Sequence, residues 1–142
     1  MTKVSQLMNT SLPLLPPDLP IVYGVEALAA AAVSSLPVVT PDGRFVGLLR
    51  ERDVMPILLG WSVHDRVVGD FMCRRVVTFS PDDPVLEVCD CIFHGAVTEC
   101  PVVDASRLYV GMLLPRALVA LAARLRSAVG RSDAARLTAV GE

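Results

Sequence analysis

Two heptapeptides hold most of the residues in this chain that could do chemistry. GLLRERD occupies residues 47–53 and GMLLPRA residues 111–117. In the first, Arg50 and Asp53 follow Gly47. In the second, the matching places after Gly111 hold Leu114 and Ala117, and Arg116 is the charge that remains. A guanidinium such as Arg50 is a good partner for a phosphate. It can equally fill the space a phosphate would need, or pair with Asp53 or Glu51. The run Arg50–Glu51–Arg52–Asp53 also reads simply as the charged, solvated start of a helix.

Four cysteines, Cys73, Cys89, Cys91 and Cys100, lie near His94. Zinc sites take paired ligands at characteristic spacings, and CDC is not one of them. On a helix Cys89 and Cys91 project about 200° apart, so they cannot easily share a metal. The four read as small buried hydrophobes of a reducing compartment, and His94 reads as a helix-end residue. A redox or metal-responsive role for the cysteines ranks third among the functions considered. The only other histidine is His64, and neither histidine stands near a matched nucleophile. With no Gly-rich phosphate loop or plausible triad either, the sequence reads as no enzyme.

The elements that must position these residues come in two copies. An offset of sixty-four residues aligns the halves without a gap. Val4 meets Val68, Met8 meets Met72, and Pro17, Asp18 and Pro20 meet Pro81, Asp82 and Pro84. Pro37, Val38 and Val39 meet Pro101, Val102 and Val103. A period of this length is an internal repeat. Each unit opens with a short amphipathic turn (VSQLM, VGDFM) and a brief extended stretch, clearest in VVTFS at 76–80. Prolines then start a helix that Asp18 or Asp82 can cap. That helix is apolar at Val25, Leu28, Ala29 and Ala32, or at Val85, Val88, Cys89 and Ile92. Two short strands follow (LPVVT with FVGLL, CPVVD with YVGML), and a last helix runs to about Gly60 or Ser127. The expected organisation is residues 1–60 as unit 1, 61–66 as linker, 67–127 as unit 2 and 128–142 as a tail, with a short helix from Ser132. One unit buries too little surface to be secure alone, so the two are expected to pack as a pseudo-twofold pair with mixed helix and strand.

The repeat resembles the CBS domain, named after cystathionine β-synthase and found in tandem pairs. LM and FM at the unit starts, LPVV and CPVVD on the second strand, PDGR in the turn and VGLLRERD at the end of the third strand carry the resemblance, over roughly residues 3 to 125. It implies an α/β (α+β) fold of two β-α-β-β-α units. No catalytic, transporter or channel segment is attached, which implies a stand-alone pair. It further implies a regulatory sensor that binds AMP, ADP, ATP or S-adenosylmethionine in the cleft between units, with no cofactor otherwise certain. The regulated protein is unknown, and a homodimer is expected. In the family's motif the glycine lets backbone approach the ligand, a Thr or Ser and the helix N-terminus face phosphate, and the Asp accepts from both ribose hydroxyls.

Residue by residue, Gly47 and Asp53 fit that motif and Arg50 replaces the hydroxyl residue. In the second copy Leu114 and Ala117 leave ribose and phosphate without partners, and apolar groups cannot repay the several kcal/mol of lost hydration. One half-site, around Asp53, is therefore expected to work. Val38 and Thr78 are further candidates to line the cleft, and Arg116 is a ligand-binding candidate at a variable place of the second motif. The alternative is a ligand-free dimerisation or interaction module with degenerate sites.

Composition narrows the rest. The chain has 142 residues, 53% of them hydrophobic, and a net charge of −2, which argues against nucleic acid or anionic membrane as the main partner. From Arg107 onward six arginines face two acids, so the C-terminal end is basic. The apolar run ALAAAAV at 27–33 is too short to span a bilayer, and no signal peptide is visible. A cytoplasmic location is expected. The last helices, with Val54, Ile57, Leu58, Leu118, Leu121 and Leu125, look too apolar for one chain to cover.

Overall fold

The computed structural model describes residues 1–95 and 97–129; the helix expected from Ser132 lies outside the described residues. Each repeat contributes a helix, an antiparallel strand pair and a closing helix. Helix α1 (Ile21–Ala31), strands β1 (Ser35–Val39) and β2 (Phe45–Arg50) and helix α2 (Glu51–Leu58) form the first set. A one-turn helix, α3 (Val68–Phe71), opens the second repeat. It is followed by α4 (Val85–Phe93), β3 (Cys100–Val103), β4 (Tyr109–Leu113) and α5 (Pro115–Val129). The strands are short, apolar and β-branched, and β1 and β3 are buried at every position, as suits strands covered on both faces.

The predicted first strand of each unit shrinks to one residue. Leu15 lies parallel to Val38, donating to Pro37 O at 3.0 Å and accepting from Val39 N at 2.9 Å. Phe79 does the same with Pro101 O and Val103 N, at 2.9 Å each. Prolines on either side of Leu15 and the Ser80–Pro81 step leave no run of free N–H groups for a longer ladder.

The two repeats are laced together by exchange. Cys73, from the second repeat, bridges Leu48 of β2 through hydrogen bonds of 2.8 and 3.0 Å. Asn9, from the first, bridges Met112 of β4 at 2.7 and 2.9 Å. Moving the first-repeat member of one pair up by sixty-four and its partner down by sixty-four gives the other pair, with the copies swapped. The same holds for Pro20 with Val67 and Lys3 with Pro84, while Arg44 with Leu108 maps onto itself and marks the axis. The two repeats therefore pack about a pseudo-twofold axis. The cores follow the exchange: Val68, Phe71 and Met72 are buried with Ile21, Leu28 and Leu36, and Val4 with Phe79, Val85 and Val88. A third buried cluster lies between the repeats, with Phe45 stacked on its equivalent Tyr109 at 6.4 Å between ring centroids.

Some helix details differ from the expectation. The N-caps of α1 and α4 are Pro20 and Pro84, with no side-chain cap. Neither Asp18 nor Asp82 fills that role, and Asp82 pairs with Lys3 at 3.7 Å instead. The buried stripe of α1 is Ile21, Gly24 and Leu28, because α3 crosses it there. A Cβ on Gly24 would stand 2.8 Å from Val68 Cγ2. Ala29 is exposed, and Ala32 leaves the helix as its left-handed C-cap. Helix α2 stops at Leu58, after the internal Pro56 and before Gly60 at φ 95°; α5, with Ala120 at the matching position, continues to Val129. His94 is the C-cap of α4, its Nδ1 2.9 Å from Asp90 O.

The apolar faces of the closing helices divide. Val54, Ile57, Leu118 and Leu121 pack on the chain's own cores. Leu58 and Leu125 do not; they remain 82% and 56% exposed. Among the described residues no helix is long and apolar enough to cross a membrane.

Candidate functional site

The exchange creates two related hollows, one on each side of the axis. In the first, Arg50 at the end of β2 faces Cys73, Arg75, Val76 and Val77 and the turn between α4 and β3, including Val97, Thr98 and Glu99. In the second, Leu114–Arg116 at the start of α5 faces Asn9, Leu12 and residues 31–34. The offset of sixty-four carries one lining onto the other: Arg50 onto Leu114, Cys73 onto Asn9, Val76 onto Leu12, Val97 onto Val33, Thr98 onto Ser34. Each hollow is thus built from the motif of one repeat and the opening segment and helix–strand turn of the other.

Their chemistry differs sharply. The Leu114 hollow is about 400 Å³ and its one charged lining residue is Arg116. Leu114 itself leans into the apolar cluster between the repeats. The Arg50 hollow is about 200 Å³ and carries Arg50, Arg75 and Glu99. Arg50 and Glu99 also line a neighbouring hollow of about 290 Å³ at the start of α2, with Glu51, Arg52 and Met55. Arg50 and Glu99 therefore line both hollows, the first of which adds Val76, Val77 and Val97 beside Arg75 and Thr98, and the second Glu51 and Arg52.

Arg50 is held firmly. Asp53 Oδ2 accepts from both Arg50 N and Arg50 Nε at 2.9 Å, and Oδ1 accepts from Nη2 at 2.8 Å. The backbone bond closes the first turn of α2, where N–H groups otherwise lack partners. The side-chain bonds make a bidentate ion pair. Hydrogen bonding to Asp53 raises the guanidinium further above its ordinary pKa, partial burial opposes this, and the charges of Asp53, Cys73 and Glu99 add to it. Of the five N–H donors of an arginine side chain, two are engaged by Asp53, leaving three. Among the alternatives open for Arg50, pairing with Asp53 is the one seen; Glu51 takes no part in it.

The other candidates scatter. Gly47 is a glycine because of protein backbone: a Cβ there would lie 2.7 Å from Cys73 O. Val38 is wholly buried in the first core. Thr78 lines a separate hollow with Ser80 and Asp104, away from Arg50. Arg116 lies in the second half-site and Asp53 behind Arg50. The structure thus brings Arg50 and Asp53 together and separates them from Val38, Thr78 and Arg116. Arg75, Thr98 and Glu99 were missed. One signal could have found two of them: at the repeat offset, Arg75 and Glu99 stand opposite Ser11 and Ser35, so charge is added on one side only.

Tyr109 and Cys100 are titratable groups perturbed outside the hollow. Burial pushes the Tyr109 phenol up to about 12, and its hydroxyl is buried without a hydrogen-bond partner. Burial likewise pushes the Cys100 thiol up to about 12. All four cysteines are free, and among the described residues no group of three His, Cys, Asp or Glu could hold a metal.

The CBS domain description matches the chain twice, over residues 4–60 and 68–124. Among curated proteins, an uncharacterised protein of Methanocaldococcus jannaschii is 26% identical over 110 residues, covering 78% of this chain and 39% of that protein. A homoserine O-acetyltransferase of Methanohalobium evestigatum is 23% identical over 79% of this chain and 22% of its own length. The chain thus spans well under half of these relatives. Among solved structures, CBSX2 in complex with AMP superposes with a TM-score of 0.79 at 20% identity, over 89% of this chain and 99% of that one; the same protein is described as coming from Arabidopsis thaliana. The CBS domain pair of protein MJ0100, in complex with 5-methylthioadenosine and S-adenosyl-L-methionine, superposes with a TM-score of 0.72 at 23% identity, over 85% and 95%. Both halves match, in order, and the chain belongs to the CBS domain family.

Proposed function

We propose that this chain is a non-catalytic regulatory module that binds an adenosine-containing ligand, AMP, ADP, ATP or S-adenosylmethionine, at the Arg50 half-site. One observation carries the reading. The valine-walled hollow and the charged hollow meet at a guanidinium that is fixed by Asp53 and still has unused donors. A base suits the former, between Val76, Val77 and Val97, since small-molecule sites pair apolar walls with a few placed polar groups. A phosphate or a carboxylate suits the latter, beside Arg50 and Arg52 at the N-terminal turn of α2. The AMP and S-adenosylmethionine complexes of CBSX2 and MJ0100, which share this fold, support the ligand class.

The ligand touches both repeats, so it favours whichever arrangement of the pair closes the hollow, and a partner protein reads that arrangement. The pair works as a homodimer in the cytoplasm: Leu58, Leu59 and Trp61, at 82%, 81% and 56% exposure, supply an apolar surface for a second copy.

Thermal melts with each of the four ligands test the reading, because a ligand of the folded state raises the midpoint by mass action. A rise is expected for at least one, and its loss in Arg50→Leu, which copies the residue at position 114. No rise at millimolar concentration with any of the four defeats the proposal and leaves the interaction-module alternative.

A further inference from the structure

Resting on that reading of the Arg50 half-site, we infer that the acceptor for the ligand's ribose hydroxyls is Glu99, contributed by the second repeat, and not Asp53 of the motif itself. Three observations carry this.

The first is the occupancy of Asp53. Both of its oxygens already accept from Arg50, one of them twice, and its side chain is only 10% exposed. A diol wants two acceptor positions on one carboxylate, and Asp53 can offer them only by giving up Arg50. That exchange would leave a half-buried guanidinium without its ion pair.

The second is the position of Glu99. It precedes β3 by one residue and lines both the valine-walled hollow and the charged one. In a nucleoside the sugar sits between the base and the 5′ substituent. A ligand with its base against Val76 and Val97 and its 5′ group at the start of α2 places its sugar where the hollows meet, beside Glu99. Among the described residues Glu99 has no ion-pair partner; one oxygen accepts from the Thr98 hydroxyl and the other is unengaged. An ionised carboxylate has about four lone-pair sites, enough for two hydroxyls.

The third is the contrast between the repeats. At the offset of sixty-four, Arg50, Asp53, Arg75 and Glu99 become Leu114, Ala117, Ser11 and Ser35. The side that keeps the guanidinium is the side that has Glu99, and the side that lacks one lacks the other. A carboxylate placed only for solubility would have no reason to follow Arg50.

The inference also bears on which ligand fits. Asp53 neutralises Arg50, and Glu99 offsets Arg75, so the four charges sum to zero. A ligand of low net charge, such as a nucleoside monophosphate or the zwitterionic S-adenosylmethionine, meets less repulsion there than a triphosphate does.

The test is calorimetric titration of wild type, Glu99→Gln, Glu99→Ser and Asp53→Asn with AMP and with 2′-deoxy-AMP, and in parallel with S-adenosylmethionine and its 2′-deoxy counterpart. Glu99→Ser carries the residue of the matching position in the first repeat, and Glu99→Gln keeps the side-chain shape. Wild type is expected to bind the ribose form about tenfold or more tightly than the deoxy form, since a site built to bond a hydroxyl rejects its absence. Both Glu99 variants should bring the two forms within about twofold, while Asp53→Asn keeps the wild-type ratio. The inference is overturned if the Glu99 variants keep the ratio, or if Asp53→Asn is the variant that abolishes it; binding itself would then stand and the proposed function with it. Failure of the unsubstituted protein to bind either ribose ligand overturns the proposed function, and this inference with it.

Discussion

Replacing Gly47 by alanine tests whether the glycine of the motif serves the ligand or the fold. A Cβ at Gly47 would stand 2.7 Å from Cys73 O, 3.4 Å from Cys73 C and 3.1 Å from Met72 Sδ. The nearest atom is backbone, and it is tied: Cys73 O accepts from Leu48 N at 3.0 Å while Cys73 N donates to Leu48 O at 2.8 Å. Relief therefore requires moving the exchanged segment off β2. Overpacking of this kind costs about 1–3 kcal/mol, and loosening one backbone hydrogen bond adds about 1 kcal/mol. Removing a glycine from the unfolded ensemble returns about 0.5–1 kcal/mol. The net expectation is a loss of about 2 kcal/mol, or a midpoint lower by roughly 6 °C for a chain of this size. Gly111→Ala is the internal control. There the nearest atoms are Met8 Sδ at 2.9 Å and Cγ at 3.0 Å, with Asn9 O only at 3.1 Å. A methionine side chain moves aside cheaply, so the loss should be about 1 kcal/mol or less. Urea unfolding of both variants without ligand measures the difference. If Gly47→Ala costs less than about 0.5 kcal/mol, or if Gly111→Ala costs more than it, the close approach of Cys73 is not what fixes Gly47.

Three further outcomes are expected. Tyr109→Phe removes a buried hydroxyl with no partner and should stabilise the fold by about 1 kcal/mol in urea; a loss of similar size would mean the hydroxyl is bonded. In alkali, the folded state holds the Cys100 and Tyr109 protons to about 12, against ordinary values of 9.0 and 10.0. The unfolded chain releases them first, so stability is complete below about pH 9 and falls as pH rises toward 12. The double variant Cys100→Ala, Tyr109→Phe should show a shallower fall, and an unchanged slope would refute these two groups as its cause. Asp53→Ala strips the Arg50 N–H and guanidinium of their acceptor and should cost about 1–2 kcal/mol even without ligand; a neutral result would make the pair a surface contact only.

Much of the fold was legible because a repeat can be read without knowing what it folds into. The matching prolines, the valine strands and the glycines of the motif gave element order and the presence of an axis. The exchange was not legible. The offset says that Cys73 and Asn9 are equivalent, but not that each leaves its own copy to pair with the other's closing strand. Hydrophobic spacing cannot say it either, since Val4 and Val68 are equally apolar in either core. The site suffered more from this than the fold did. Its lining comes from three separated segments, of which one carries a recognisable motif, so the sequence points to Arg50 and Asp53 and not to Arg75 and Glu99, which line the hollow beside Arg50. Val38 and Thr78 lie apart from the Arg50 hollow for the opposite reason. They lie near the motif by element order, yet β1 turns Val38 wholly into the core and Thr78 falls on a different hollow.

The asymmetry of the two half-sites follows from how each motif residue is used. Leu114 contributes to the cluster around Phe45, Leu48 and Met112 that joins the repeats, so the second half-site supports the interface with apolar contact. Arg50, at the matching place, is turned to Asp53 and to the hollow. A duplicated scaffold needs only one of its two mouths to be polar in order to respond to a ligand, provided that mouth is shared between the copies. The Arg50 hollow is shared: the guanidinium belongs to the first repeat, and Arg75, Thr98 and Glu99 belong to the second. In the proposed function, charges placed across the seam couple a bound ligand to the arrangement of the repeats, which two charges within one repeat do not. Free energy of binding then depends on how the repeats sit. A ligand that reaches both Arg50 and Glu99 should stiffen the seam, and amide exchange at Leu48 and Cys73, which hydrogen-bond across it, should slow on binding. Exchange that slows only within α2, with Leu48 and Cys73 unchanged, would show that the ligand rests on one repeat alone and that the seam carries no signal.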